Sequence, residues 1–341
     1  MAIVKQLIAE EFGTMVCLHS ERLQLRRKGE VLEQAPLMHL ETVIIASEGI
    51  SISSDALEAC CERGIPVQFL NRQGEPYAAL YAAGLAGTVI ARREQMLAFF
   101  DARGVHLAQA FAAGKIQNQA ATLRYLARNR KNSDPALAQE LRLQAGEVLD
   151  HLAWLDRVSQ DNLEEARGQV LAAEGNAARR YWDALRAVIP EEYGWPGRVG
   201  RGAADPVNSL LNYGYGILYQ QVQRAIVLAG LDPYAGFVHT DRPGKPSLTL
   251  DLIEEFRQAG VDRVVIGLTA RGFRVEQDER GLLSQEARRA FAERVLDHLE
   301  SATYYEGKRH PLRAVIQMQA RAVASYLRGD REAYQPFKAE Q

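Results

Sequence analysis

The spacing of apolar residues changes once along this chain of 341 residues, and that change limits the possible folds more than any other feature. In the first 87 residues the apolar side chains form short β-branched or alternating runs such as 15–18 and 42–46, with one helical segment over 51–63. From residue 88 onward they recur at helical spacing among Ala, Leu, Gln, Glu and Arg. The pattern predicts an α+β fold with a small N-terminal β domain over 1–87 and a larger all-α C-terminal domain over 88–330.

Segments rich in proline and glycine divide the helical part of the chain. We expect breaks at 132–135 and over the long loop 190–206, which is irregular enough to carry a functional site. Asp205 followed by Pro206 is a strong signal for a helix that begins where this loop ends. The last segment, 331–341, is polar apart from two isolated aromatic residues, and its composition predicts a mobile tail unless a partner holds it.

Charge and cysteine content exclude several classes of protein. The 41 Lys and Arg residues nearly balance the 43 Asp and Glu residues, so any DNA-binding surface must be a local cluster of arginines in a chain that is not basic. Residues 1–90 carry a net charge of −4 and residues 91–341 one of +2. The three cysteines lack the spacing of a zinc site or a disulfide framework. No run approaches the ~20 apolar residues of a membrane span, and no export signal opens the chain, which predicts a cytoplasmic protein.

One histidine and four acidic residues are candidates for a metal site. His239 ends an apolar run and precedes a loop rich in turn residues, which keeps it near solvent. Asp251, Glu254 and Glu255 follow in the first turn of a predicted helix. Glu174 lies among small residues on another helix. An imidazole with carboxylates suits Mg²⁺ or Mn²⁺ better than Zn²⁺. A simpler interpretation remains open, in which the acids only complement a helix dipole and Glu174 is an ordinary exposed residue.

Basic and amide side chains lie between these candidates in the sequence. Asn208 falls in the first turn of the helix that Asp205 caps, and a helix N-terminus favours phosphate groups. Neither the loop 197–202 nor the loop 242–247 matches a nucleotide-binding motif. Four cations lie in these two loops, namely Arg198, Arg201, Arg242 and Lys245.

Four segments, taken in order, resemble the CRISPR-associated integrase family, the Cas-one (Cas1) proteins, which insert new spacers into CRISPR arrays. The resemblance extends over the whole chain and rests on the segments 174–181, 205–215, 236–239 and 247–257. It implies an N-terminal β domain and a C-terminal helical domain, in agreement with the apolar spacing.

The resemblance also implies the residues of an active site. Glu174, His239 and an acid of the last segment would be the catalytic metal ligands, holding a Mg²⁺ or Mn²⁺ ion. Some members of the family have Asp where Glu254 stands, and Asp251 is the adjacent acid, so the third ligand is a choice between the two. We take Glu254 and keep Asp251 as the alternative. Asp251 and Asn208 are the expected supporting residues.

The reaction implied by this family is a transesterification. The 3′-hydroxyl of an incoming DNA fragment attacks a phosphodiester at the boundary of a CRISPR repeat, and the four loop cations Arg198, Arg201, Arg242 and Lys245 would hold flanking phosphates. The implied partners are double-stranded DNA, a second copy of the chain that forms a homodimer through the acidic N-terminal domain, and the small Cas-two (Cas2) protein.

Two other functions remain open from the sequence. The first is a hydrolytic metal-dependent nuclease on branched or single-stranded DNA, which would use the same ligands with water as the nucleophile. The second is a noncatalytic helical scaffold or DNA-binding subunit, whose acids only cap helices.

Overall fold

The fold is that of a computed structural model, which describes residues 6–40, 42–71, 76–80, 89–158, 162–200 and 202–339. Arg201 lies outside the described residues. The chain divides into two compact units, Met1–Ala86 and Gly87–Gln341, so the division falls one residue from the predicted boundary. None of the helices in the described ranges combines the length and apolar character needed to cross a membrane.

The N-terminal unit contains two four-stranded sheets, one α-helix and one short 3-10 helix, Leu37–His39, among its described residues. One sheet has the order β1-β5-β7-β8, in which β8 is antiparallel to β7 and the other pairs are parallel. The other has the order β4-β3-β2-β6, in which only β6 runs parallel to its neighbour. The elements are β1 Gln6–Ala9, β2 Met15–His19, β3 Arg22–Arg27, β4 Glu30–Pro36, β5 Thr42–Ile45, β6 Ser51–Ile52, α1 Ser54–Glu62, β7 Val67–Leu70 and β8 Pro76–Leu80.

Two local features of this unit bear on the sequence predictions. Lys28 and Gly29 have φ angles of 49° and 89°, the left-handed pair that a tight hairpin between β3 and β4 requires. The predicted helix 51–63 begins later than expected, at Ser54, because the residues before it pair with β2 as the short strand β6.

The second unit is mostly helical, which confirms the predicted α+β class. It also contains a two-stranded hairpin that the sequence did not predict, and a π-helical turn, Gln258–Asp262, precedes α9. The elements are α2 Val89–Ala98, α3 Ala102–Arg130, α4 Pro135–Leu149, α5 Leu152–Leu155, α6 Leu163–Arg186, α7 Pro206–Leu228, α8 Ser247–Ile253, α9 Arg263–Thr269, α10 Gln285–Glu300, β9 Ala302–Tyr305, β10 Lys308–Pro311 and α11 Leu312–Leu327.

Side-chain caps set several of these helix boundaries. Asp134 accepts a hydrogen bond from Leu137 N and begins α4 at the predicted break. Asp205 accepts from Asn208 N, and Pro206 is the first residue of α7, as its sequence signal predicted. The long helix α3 packs against α4 and α6, so a residue in its middle lies inside the helical unit.

Residues 334–339 pack into the helical unit, whereas the sequence predicted a mobile tail over 331–341. Tyr334 and Phe337 are 1% and 0% exposed. The Tyr334 hydroxyl donates to Glu255 Oε1 at 2.7 Å, and Phe337 N donates to Glu255 Oε2 at 2.8 Å. The Phe337 ring stacks on Phe256 with 5.0 Å between centroids. The local composition did not reveal this packing, because the groove that holds the segment is built from distant helices.

Candidate active site

Helix α8 and the turn after it carry two of the candidate acids. α8 begins at Ser247, four residues earlier than predicted, so Asp251 lies within the helix and Glu254 at its C-cap. Neither acid is in a first helical turn, so the favourable dipole at a helix start cannot account for them. The interpretation of these residues as simple helix-start acids is therefore wrong.

Glu174 and Glu254 meet at a single lysine. Glu174 lies in the middle of α6 and its side chain is 12% exposed, so it is not an ordinary surface residue. Lys115, in α3, donates from Nζ to Glu174 Oε1, and the same Nζ lies 2.7 Å from Glu254 Oε2. Three helical segments that are remote in sequence thus bring two carboxylates to one ammonium group.

Arg257 fixes the second oxygen of Glu254. Its Nε lies 2.9 Å from Glu254 Oε1, and the Glu254 side chain is only 8% exposed. Burial raises the pKa of the Glu254 carboxyl, but the charges of Arg257 and Lys115 outweigh burial and bring that pKa to about 2. Glu254 is therefore ionised throughout the physiological range of pH.

Asp251 holds the imidazole of His239. The fully buried carboxylate of Asp251 accepts hydrogen bonds from the backbone N–H groups of Phe237, Val238 and His239, at 2.5 to 3.0 Å. His239 Nδ1 lies 2.8 Å from Asp251 Oδ1. Because a carboxylate can only accept, Nδ1 carries the proton and Nε2 of a neutral ring keeps its lone pair. This is the arrangement by which carboxylates orient histidines that bind metals.

The donor atoms fit a hard divalent ion, although they do not form a ready metal site. In the described parts of the chain, no group of three or more His, Cys, Asp or Glu side chains is placed to hold a metal ion together. Glu174 and Glu254 nevertheless share one cation, the Lys115 ammonium. The buried Glu254 Oε2 has the Lys115 ammonium, 2.7 Å away, as its charged partner. Two carboxylates and one imidazole are ligand types that suit Mg²⁺ and Mn²⁺.

A buried polar network lies behind Arg257. Its guanidinium stacks over the Tyr215 ring, 4.4 Å from the centroid. The hydroxyls of Tyr215 and Tyr181 both donate to Asp262, which is fully buried. Burial raises the pKa of Asp262 to about 6, against the lowering effect of the two hydroxyl groups. The network fixes the tyrosine ring and therefore the position from which Arg257 contacts Glu254.

Asn208 holds the loop before α7. It is fully buried, and its side chain accepts from Val199 N at 3.0 Å and donates to Gly197 O and to Asp205 Oδ2, both at 2.8 Å. These contacts leave its amide no role as an exposed phosphate contact. Its support of the active site stays a prediction, and what the structure assigns to it is the shape of residues 197–199.

Arg198 lies within that loop and is partly buried. Its Nη1 donates to Asn208 Oδ1 at 3.2 Å, and its guanidinium lies over the rings of Trp182 and Tyr215, 5.9 Å and 5.4 Å from their centroids. Because Arg257 stacks on the same tyrosine, Arg198 adjoins the network around Glu254.

Of the other three predicted cations, the structure describes Arg242 and Lys245. Arg242 is exposed and Lys245 is half-buried, and the two end a tight turn in which Lys245 N donates to Arg242 O at 2.9 Å. This turn follows His239 closely in the chain. Arg201 lies outside the described residues. The DNA contacts of all of these residues stay predictions.

Sequence reasoning missed Lys115 and assigned no role to Arg257. Arg257 was within reach of prediction, because it lies three residues after Glu254 and such a spacing places two side chains on one helix face. Lys115 had only one weak signal, a charge on a helix face that includes the buried Phe111 and Asn118.

The comparison with known families decides what kind of protein this is. The family model described as CRISPR associated protein Cas1 matches residues 7–296. The chain is a member of the Cas1 family. A curated relative, the CRISPR-associated endonuclease Cas1 1 of Archaeoglobus fulgidus, is 40% identical over 343 residues and covers 97% of this chain and 99% of its own length. The resemblance drawn from the four sequence segments is thereby confirmed.

Solved structures share the Cas1 fold of this chain. A casposase bound to integration product has a TM-score of 0.82 at 23% identity, with 99% of this chain and 95% of that chain covered. A Cas6-RT-Cas1–Cas2 complex has a TM-score of 0.79 at 21% identity, and the match covers 100% of this chain and 37% of that chain. Identities this low establish the fold alone.

Proposed function

We propose that this Cas1 protein is a metal-dependent DNA integrase that inserts short foreign DNA fragments into a CRISPR array as new spacers. The observation that carries the proposal is the convergence of Glu174 and Glu254, from separate helices, on one cation, together with the orientation of the His239 imidazole by Asp251. Two solved structures that share this fold, a casposase bound to integration product and a Cas6-RT-Cas1–Cas2 complex, agree with a strand-joining activity.

Glu174, His239 and Glu254 would hold a Mg²⁺ or Mn²⁺ ion. When bound there, such an ion would polarise a phosphoryl oxygen and orient the attacking hydroxyl. His239 serves as a ligand through Nε2 and is therefore not also a general base. Asp251 is a positioning residue, since it fixes the tautomer and direction of the ring. Arg257 keeps Glu254 ionised and directs one of its oxygens.

The bonds exchanged in the reaction balance without a nucleotide cofactor. The 3′-oxygen of the fragment forms a bond to the phosphorus at the repeat boundary, and the bond from that phosphorus to the 3′-oxygen of the repeat strand breaks. The proton lost by the attacking hydroxyl matches the proton gained by the leaving hydroxyl. One phosphodiester replaces another, so the energy of the linkage is conserved.

Because the chain is nearly neutral, DNA binding requires the basic surfaces of several copies to act together. We infer that two copies form a homodimer through the acidic N-terminal unit, and that Cas2 joins such dimers into a longer track for double-stranded DNA. Arg198, Arg201, Arg242 and Lys245 would contact phosphates near the reacting strand. Such binding would weaken steeply with salt, because each neutralised phosphate releases counterions.

A plasmid integration assay tests the proposal. Labelled fragments with free 3′-hydroxyls are mixed with a supercoiled plasmid carrying a CRISPR repeat, with Cas2 and Mn²⁺, Mg²⁺ or chelator. Wild type should transfer label to the plasmid, and Glu174→Gln, His239→Ala and Glu254→Gln should each reduce transfer by at least 100-fold. Glu147→Gln is the matched control, because Glu147 pairs with a surface arginine elsewhere on the helical unit. Equal transfer by Glu174→Gln and wild type would refute the assignment.

Hydrolysis is the second candidate function, because the curated relatives carry the name endonuclease. The same acids and imidazole would serve it, with water in place of the 3′-hydroxyl. The assay separates the two functions, since a hydrolytic nuclease nicks the plasmid and leaves the label unattached.

A further inference from the structure

Lys115 is the one charged side chain that reaches both candidate glutamate ligands in the described part of the chain. It lies in α3, the helix that packs against α4 and α6, and its side chain is 13% exposed. Its ammonium donates to Glu174 Oε1 and lies 2.7 Å from Glu254 Oε2. The group therefore stands between two carboxylates that the proposed function assigns to a divalent ion.

The ammonium and a bound ion would need the same oxygens. Glu254 Oε1 is already engaged by Arg257 Nε at 2.9 Å, so Oε2 is the atom left to Lys115 or to an ion. Glu174 Oε1 accepts from Lys115 in turn. A divalent ion that took Glu174 Oε1 and Glu254 Oε2 would meet a positive charge at hydrogen-bonding distance from both. Repulsion at that separation is large in a buried site, so the two cations exclude each other.

We propose that Lys115 is an internal counter-cation, which holds Glu174 and Glu254 together while no ion is bound and is displaced when a divalent ion binds. The inference rests on the proposed function, because it assumes that these two acids are ion ligands. It assigns Lys115 a role as a positioning residue for the empty site.

The two cations of the site differ in how firmly they are held. Arg257 contacts Glu254 and also stacks on the Tyr215 ring, which is itself fixed by Asp262. The ammonium of Lys115 ends a flexible four-carbon stem, and a lysine head is a strongly hydrated point charge that can be directed elsewhere at low cost. Lys115 is therefore the cation that an incoming ion would displace, and Arg257 the one that stays.

Metal binding by purified protein tests the displacement directly. Titration calorimetry with Mn²⁺ compares wild type, Lys115→Met and Lys115→Arg, after chelator treatment. We expect Lys115→Met to bind Mn²⁺ at least tenfold more tightly, because the competing charge is gone, while its metal-free form melts at a lower temperature. Lys115→Arg keeps a competing charge and should bind within threefold of wild type. Lys131→Met, an exposed lysine just past the end of α3, is the matched control and should equal wild type.

A measurement on the wild-type chain covers the case in which Lys115→Met does not fold. Acetylation of lysines by acetic anhydride, read by mass spectrometry of peptides, should modify Lys115 slowly in chelator and several-fold faster as Mn²⁺ saturates the site. Lys131 is the internal reference and should react equally in both conditions.

The outcomes separate the inference from the function on which it rests. If wild type binds no Mn²⁺, or binds it equally well after Glu174→Gln, both the metal site and the displacement of Lys115 are overturned. If wild type binds Mn²⁺ through Glu174 but Lys115→Met has equal or lower affinity, only the displacement is overturned. If the acetylation rate of Lys115 does not change at saturating Mn²⁺, the displacement is likewise overturned and the metal site is not.

Discussion

Replacement of Phe337 by alanine measures how firmly the C-terminal segment belongs to the helical unit. The Phe337 ring is fully buried and stacks on Phe256 at 5.0 Å with 12° between the planes. Truncation of a buried phenylalanine to alanine costs about 3–5 kcal/mol, since it removes apolar burial and leaves a cavity. The backbone of residue 337 can still donate from N to the Glu255 side chain and accept at O from the Asn118 side chain in the variant. The loss of stability therefore reports the packing of the phenylalanine ring.

Urea unfolding followed by far-ultraviolet circular dichroism is the assay. Phe337→Ala should lower the free energy of unfolding by about 3 kcal/mol or more, which for a unit of this size lowers the melting temperature by roughly 6–12 °C. Phe100→Ala is the matched control, because Phe100 is 83% exposed in the same unit and its loss should cost less than about 1 kcal/mol.

Equal stabilities of the two variants would refute the packed position of the segment and restore the mobile tail that composition suggested. Hydrogen exchange provides a second readout. The amides of Phe337 and Ala339 donate to Glu255 Oε2 and Asn118 Oδ1, so they should exchange with the slow amides of the helical unit and not with those of a free end.

Three further predictions concern the site and its surroundings. Asp251→Asn replaces an all-acceptor carboxylate that fixes His239, so Mn²⁺ affinity and plasmid integration should fall about 10–100-fold; unchanged affinity would contradict the positioning role. Burial raises the pKa of Glu255 from 4.5 to about 8, so wild type should lose stability as pH rises through this interval, whereas the melting temperature of Glu255→Gln should vary less between pH 5 and 9. Arg242→Gln should weaken DNA binding and reduce the slope of log affinity against log salt by about 1; an unaltered slope would remove Arg242 from the DNA surface.

Much of the architecture could be predicted because it is encoded locally. The change of apolar period marks the two units, and a cap followed by proline marks the start of α7 at Pro206. Glu174 and His239 could be proposed because they lie in short segments of recognisable composition. Such signals depend on neighbours along the chain, which a sequence displays directly.

The missed features depend on contacts between distant parts of the chain. Lys115 lies 59 residues before Glu174, and only the packing of α3 against α6 brings them together. Tyr334 is buried because Glu255 and Phe111 line its position, from segments 79 and 223 residues away in sequence. The sequence predicted the start of α8 four residues too late. The residues from Ser247 onward are mostly buried, so they show no helical period.

The charges around Glu254 also bear on why two acidic and two basic side chains are buried together. Glu174, Glu254, Lys115 and Arg257 are all at most 20% exposed and balance as two acids and two cations. A buried cluster of this kind adds little net stability, because desolvation offsets attraction, and apolar residues of similar volume are often more stable. Folding alone therefore does not require it. Glu254 Oε2, which is paired with the Lys115 ammonium at 2.7 Å, and the His239 ring, whose Nε2 is left free to accept, fit the exchange of that ammonium for an ion that we propose.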